Sequence, residues 1–281
     1  MSILNCQLST VSRPSNPIGI FDSGAGGLTV LKECRALLPA EDFIYYADNA
    51  NVPYGNKPRE IIERLTADAT KRLIGYGVKA IVLACNTATA ASAAALRARY
   101  NIPVIGLEPA LKPAARYAQG GKVLVLATEA TVKREKFARL LKVYGNGNTL
   151  VAPQKDLARL IEENLDDLSV LEAKAERAVA PHRENLKAVV LGCTHYIFIK
   201  EYLQRAAGPD VAFFDGNAGT ARQLRRRLEE NGLLKGKIIP LCGGVPQTGG
   251  RAAIPTVPPT ISGKITLLSS GVPPPSYWTM L

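Results

Sequence analysis

The sequence is short of metal ligands. It has two histidines and five cysteines in 281 residues, and no Cys-x-x-Cys pair. Cys6, Cys34, Cys85, Cys193 and Cys242 are odd in number and widely spaced. That pattern argues against a zinc site and against a disulfide framework, so no metal is expected and reduced thiols are the default. No apolar run approaches the ~20 residues that span a bilayer, and residues 1–16 lack the charged start and apolar core of a signal peptide. A cytoplasmic protein with no membrane partner is expected. Aromatic residues make up 6% of the chain and form no RNA-binding motif. From Gly236 onward there is no acidic residue, while eight prolines fall between Pro240 and Pro275. Such a composition predicts a loose tail without helix or strand.

What is present is a globular composition, 47% hydrophobic, with a formal net charge of +11. The charge invites a nucleic-acid reading. The basic residues are scattered, however, apart from Arg222 and the run Arg225–Arg227. That run shares a predicted helix with Glu229 and Glu230, which describes a solvated helix face. Nucleic acid is not expected as a partner.

The chain repeats itself once. Lys79–Thr89 reads Lys-Ala-Ile-Val-Leu-Ala-Cys-Asn-Thr-Ala-Thr, and Lys187–His195 reads Lys-Ala-Val-Val-Leu-Gly-Cys-Thr-His. Each copy is a short apolar strand, a cysteine, hydroxyl or amide side chains, and then a helical pattern. A thiol just before a helix start is expected to have a lowered pKa, because the helix dipole and free N–H groups favour thiolate. A buried cysteine is more often inert packing, the reading given to Cys34; two in matching contexts suggest a two-thiol site.

Around this repeat, strands alternate with helices. Strands are expected near Ile18–Asp22, Phe43–Tyr46, Ala80–Ala84, Val104–Leu107, Lys122–Ala127, Ala188–Leu191 and Val211–Phe214. Helices are expected after Gly27 and over 58–76, 87–100, 113–119, 131–144, 157–164, 170–183, from Cys193 to about Ala207, and 218–231. This order predicts an α/β fold with parallel sheets covered on both faces, and the repeat predicts two of them. Ligands in such sheets bind beyond the carboxyl ends of the strands. Asp22, Asp48, Cys85, Thr128 and Cys193 all fall there, so one cleft can collect them.

Asp22-Ser-Gly-Ala-Gly-Gly opens the first helix. It is not the dinucleotide fingerprint, since Thr29 stands where the third glycine belongs. As a tight turn it needs glycine for positive φ, and its N–H groups suit a carboxylate or phosphate. His195 follows Cys193 by two residues and is placed to tune that thiol.

Taken together, Phe21–Leu28, Ala47-Asp48 with Pro53–Lys57, Ala84–Ala88, Pro109–Ala114 and Leu191–Tyr196 resemble the glutamate racemases of the cofactor-independent Asp/Glu racemase superfamily. The resemblance runs from about Pro17 to Leu234. It implies two pseudo-symmetric α/β domains, each a mostly parallel sheet flanked by helices, with the site in the cleft between them. The implied activity interconverts L- and D-glutamate without a cofactor, supplying D-glutamate for peptidoglycan. Cys85 and Cys193 are the implied acid/base pair, with Asp22 beside Cys85 and His195 beside Cys193. Ser23, Asn86, Thr87, Thr194 and the loop Pro53, Tyr54, Gly55 match substrate-holding positions. Thr128 and Thr131 match further hydrogen-bonding positions, and Glu162 matches an acidic site residue more weakly. The implied domains are an arm over 1–16, a first domain over 17–112 completed by 217–235, a second over 113–216, and a Pro/Gly-rich tail over 236–281. A cell-wall precursor as activator, contact with DNA gyrase and a homodimer are further family expectations among which the sequence does not choose. Three departures stand out: Ile197 follows Tyr196 where proline is common, Asp215-Gly216-Asn217 replaces Asp-Ser-Gly, and the chain after about Lys237 has no counterpart. The rival readings are an aspartate or other amino-acid racemase and a non-catalytic carboxylate- or nucleic-acid-binding regulator.

Overall fold

The structure, a computed structural model, describes residues 12–145, 147–236 and 262–271. The first eleven residues of the expected arm, and the expected tail apart from 236 and 262–271, lie outside the described residues.

The first half runs β1 (Ile18–Asp22), α1 (Leu28–Leu37), β2 (Phe43–Ala47), α2 (Arg59–Gly75), β3 (Ala80–Leu83), α3 (Asn86–Arg99) and β4 (Val104–Gly106). The second half runs α4 (Leu111–Ala118), β5 (Lys122–Ala127), α5 (Glu129–Val132), α6 (Glu135–Tyr144), β6 (Thr149–Pro153), α7 (Leu157–Glu163), α8 (Glu172–Val179), β7 (Leu186–Gly192), α9 (Lys200–Ala207) and β8 (Ala212–Phe214). The chain then returns through α10 (Asn217–Glu230) and β9 (Ile265–Ser269).

Two parallel sheets result, ordered β4-β3-β1-β2-β9 and β6-β5-β7-β8. Their central strands are apolar along most of their length, apart from Asp22, Lys122 and Lys187 near the strand ends, because helices cover both faces. In the first sheet, Ile18, Ile20 and Val82 meet Leu28 and Leu31 of α1 and Leu224 and Leu228 of α10. On its other face Phe21, Ile81 and Leu83 meet Ile62, Leu73 and Leu96 of α2 and α3. The second sheet is packed between α7, α8 and α9 on one face and α4 and α6 on the other. Each fully buried Leu, Ile or Phe contributes about 1.5–3 kcal/mol of transfer free energy.

The sequence reading needs correction at several places. β6 and β9 were not anticipated; both are edge strands with partly exposed residues, so neither carries a buried apolar run. β9 lies inside the stretch read as a loose tail, and pairs in parallel register with β2 from Phe43↔Ile265 to Ala47↔Ser269. The helix expected over 170–183 is α8 between two 3₁₀ turns. Pro181 lacks the N–H that would continue it. The solvated face read for α10 is present: Arg225 pairs with Glu229, and Arg226 and Arg227 with Glu230.

Candidate active site

The carboxyl ends of β1, β3, β5 and β7 bring the candidate residues together. Asp22 closes β1 and is fully buried. Its Oδ1 accepts from the Gly24 N–H at 2.8 Å, and its Oδ2 accepts from Thr194 Oγ1 of the second half at 3.4 Å. Burial pushes its carboxyl up to about 6, with Glu162 adding to the shift; the His195 charge and the Gly24 and Gly27 amides oppose it.

The glycines after Asp22 serve close approach, not positive φ. Gly24, Gly26 and Gly27 are absent from the glycines with positive φ. A Cβ on Gly24 would sit 2.7 Å from a Glu162 oxygen, and one on Gly27 2.5 Å from Cβ of Asp22. The turn does hold a carboxylate, as expected of its N–H groups, and it is the chain's own: Ala25 N–H reaches both oxygens of Glu162, at 3.1 and 3.2 Å.

Cys85 stands between β3 and α3 as the helix N-cap, where its Sγ accepts from Ala88 N–H and from Ser23 Oγ, each at 3.5 Å. The lowered pKa expected at a helix start does not occur. Burial pushes the thiol up to about 12 and the Asp22 charge adds to it, while the two donors oppose. Desolvation of an anion outweighs a few weak hydrogen bonds to sulfur.

Around Cys85, three hydroxyls join the halves. Thr87 Oγ1 of α3 lies 3.0 Å from Thr128 Oγ1 and 3.2 Å from Thr131 Oγ1 at the start of α5. Gly55 stands against Thr128, where a Cβ would come within 3.0 Å of its Cβ. Pro53 and Tyr54 belong to the same loop; the Tyr54 hydroxyl is buried and donates to Asp48 Oδ2 at 2.6 Å, so it faces Asp48 rather than open space. Asn86 is buried and its Oδ1 has no protein partner.

The second thiol is built differently. Cys193 follows β7 but precedes a 3₁₀ turn, Thr194–Ile197, and makes no capping bond; α9 starts only at Lys200. The expected helix start at Cys193 is thus corrected. Its Sγ lies 3.8 Å from His195 Nδ1, and His195 Nε2 is hydrogen-bonded to Glu162 Oε2. Burial alone would depress the imidazole, yet the Glu162 carboxylate, with help from Cys193, raises it well above its ordinary value. An imidazolium–carboxylate pair therefore sits beside Cys193. Glu162, the weakest sequence match, is the residue that joins this pair to the glycine turn.

Sequence reasoning passed over three neighbours. Tyr45 donates its hydroxyl to Gly24 O at 2.6 Å and braces the turn. Tyr196 is fully buried and its hydroxyl has no protein partner. Asn217 donates to Thr29 Oγ1 at 2.9 Å. Tyr45 read only as a strand residue, and no local pattern signals its role. Among the described residues, no three His, Cys, Asp or Glu side chains converge as a metal-binding group.

Comparison with known proteins places this arrangement. The family model for Asp/Glu/Hydantoin racemase matches residues 18–224. A glutamate racemase of Clostridium botulinum (strain Alaska E43 / Type E3) is 44% identical over 227 residues, covering 80% of this chain and 88% of the relative. The structure resembles glutamate racemase from Thermus thermophilus in complex with beta-chloro-D-alanine, with TM-score 0.71, 37% identity, and 95% and 92% of the two chains covered. It also resembles Escherichia coli glutamate racemase in complex with L-glutamate and the activator UDP-MurNAc-Ala, with TM-score 0.69, 36% identity, and 76% and 83% covered. With two parallel sheets meeting at paired thiols and the family model spanning most of its length, the chain belongs to the Asp/Glu/Hydantoin racemase family.

Proposed function

We propose that this chain is an isomerase that interconverts L- and D-glutamate, the D-enantiomer serving peptidoglycan synthesis, by proton transfer between two cysteines and Cα. The observation that carries this reading is the pair of buried thiols at the carboxyl ends of strands in two different sheets, each with its own polar neighbours. Racemisation needs a base on one face of a weakly acidic carbon and an acid on the other. At neutral pH Cys85 is a thiol, since burial holds it at about 12; it is therefore ready to donate. Cys193 lies 3.8 Å from His195 Nδ1 and takes the part of base on the opposite face. In the L-to-D direction Cys193 removes the proton and Cys85 returns one. The reverse direction starts from the opposite protonation, with Cys85 as base. Substrate ammonium placed near Asp22 and Cys85 would offset the burial that disfavours that thiolate.

Asp22, Ser23, Asn86, Thr87, Thr194 and the 53–55 loop supply donors and acceptors for the two carboxylates and the amine, with Thr128 and Thr131 behind Thr87. Asn86 Oδ1 is buried without a protein partner, as befits an acceptor kept for ligand N–H. Donors on the α-carboxylate stabilise the negative charge that develops as Cα loses its proton. The polar surroundings also favour glutamate over aspartate, because a shorter side chain leaves donors unpaired.

The test is to incubate purified protein and EDTA with L-glutamate or L-aspartate in D₂O and follow optical rotation. Early D-glutamate should carry solvent deuterium while the remaining L pool stays protiated. Return of the substrate's own proton to the product, or equal kcat/KM on aspartate, would sink the two-thiol mechanism or the glutamate assignment respectively. A cell-wall precursor activator, named for the Escherichia coli relative, has a suitable place in this chain. It is a cavity of about 720 Å³ lined from both halves, by Arg97, Arg222 and Arg227 together with Glu108 and Asp215. Arginine forks recognise phosphate; UDP-MurNAc-Ala should raise activity, and Arg222→Ala should abolish that response.

A further inference from the structure

Helix α7 belongs to the second half but is tied to the first at both ends. Near its end, Glu162 is held by Ala25 N–H. At its start, Asp156 Oδ1 accepts from Asn56 Nδ2 at 2.7 Å. The second tie comes at a local cost. Asp156 is the N-cap of α7, yet it sits in the left-handed region at φ 60° and makes no side-chain capping bond. A capping Asp normally has extended backbone and accepts from an N–H two or three residues on. A non-glycine residue held at positive φ is itself disfavoured. Asp156 forgoes both local gains, and its carboxylate is directed to Asn56 of the other half, with Arg159 Nε at 3.8 Å. Asn56 is exposed and directly follows the loop that stands against Thr128. An exposed bond of this kind exchanges readily with water, whereas the Glu162 tie is part-buried.

We propose that Asn56 and Asp156 are positioning residues: they latch α7 across the junction of the halves, and so bring Cys193, with its His195–Glu162 pair, against the Asp22–Gly27 turn of the first half each time the cleft closes on an amino acid. This rests on the racemase reading above. The latch is weak and exposed because it must open for every product molecule, and strained because its carboxylate cannot also cap its own helix.

The test compares Asp156→Gly, Asn56→Ala, their combination, and Asp156→Asn. Glycine takes φ 60° without strain, so Asp156→Gly removes the carboxylate while keeping the fold. Asn56→Ala removes the latch but leaves Arg159 beside Asp156. Both single variants should raise KM for L- and D-glutamate about three- to ten-fold, the worth of one charge-assisted hydrogen bond. Their kcat should change less than about two-fold, because the reacting groups are intact. The equilibrium constant is one, so kcat/KM must fall equally in both directions. The double variant should be no worse than either single one, and Asp156→Asn, which keeps an acceptor and tolerates positive φ, should restore KM. In hydrogen exchange, the α7 amides should open faster in Asn56→Ala than in wild type, with or without glutamate. Unchanged KM in both single variants, multiplying effects in the double variant, or an Asp156→Asn as impaired as Asp156→Gly would overturn the latch. Wild-type protein inactive on every amino acid would count against the racemase reading instead, and the exchange of α7 would then decide the latch by itself.

Discussion

The two thiols occupy equivalent places in their sheets but not equivalent surroundings. Cys85 caps a 14-residue helix and takes two hydrogen bonds at Sγ, and it is nonetheless held at about 12 by burial and Asp22. Cys193 caps no α-helix; it faces an imidazole charged by a glutamate from a different helix. A repeated strand-cysteine unit therefore sets position, while the side chains brought in from elsewhere set protonation. The duplicated motif thus places its two thiols in two different electrostatic settings.

The comparison breaks most completely at the sulfurs. Cys85→Ala and Cys193→Ala should each lower kcat by at least about 10³-fold, since either loss removes a required acid or base; full activity in either variant, measured by polarimetry, would end the two-thiol account. Next comes Glu162→Gln, which takes the charge from behind His195 and leaves only one acceptor oxygen for the Ala25 N–H. A loss of about 10- to 100-fold in kcat is expected. The sign of its stability effect follows from the raised His195 pKa. The folded chain holds that proton more tightly than the unfolded chain, so the stabilisation is complete below about pH 6.5 and lost as pH rises through the folded value. Urea denaturation of Glu162→Gln against wild type should show the larger deficit at pH 6 and a smaller one at high alkalinity.

Asp22 sharpens the contrast from the other side. Burial pushes its carboxyl up to about 6 in the folded chain, against 3.8 ordinarily. The bound proton stabilises the fold fully below about pH 3.8, and that contribution disappears as pH rises through about 6. Keeping Asp22 ionised at pH 7.5 thus costs about 2–3 kcal/mol. Asp22→Asn should accordingly gain about 1–3 kcal/mol of stability at pH 7.5 and little at pH 4, while losing about ten-fold or more in kcat/KM. A variant no more stable than wild type at pH 7.5 would show that the burial cost is relieved in solution. The smallest effect belongs to Cys34→Ala. Cys34 is fully buried, and burial pushes its thiol up to about 12. It should keep wild-type kcat and lose about 1 kcal/mol, the size of a small packing defect; a hundred-fold activity loss would mean that a third thiol matters.

Legibility followed burial. The central strands of both sheets could be read directly, because being covered on both faces they carry near-continuous apolar runs. The edge strands β6 and β9 escaped notice: half-exposed, they need no such run, and β9 lies in a stretch whose prolines read as tail. Asp22, Cys85, Thr128 and Cys193 were placed correctly at strand ends because a strand's end is a local property. The pKa of Cys85 was misjudged because a helix start is visible in sequence whereas burial and a neighbouring Asp22 are not. Glu162 matched only weakly because its partners, Ala25 and His195, stand 137 and 33 residues away along the chain.

By itself the sequence determined the repeated strand–cysteine units, their parallel arrangement, and which side chains stand at the carboxyl ends of the strands. All of these depend on apolar runs and turn residues close together in the chain. Only the tertiary structure decided that Cys85 is held protonated, why Gly24, Gly26 and Gly27 are glycines, and which residues hold the halves against one another. Desolvation, Coulomb attraction and close approach depend on distance in space, and the groups concerned come from opposite halves of the chain.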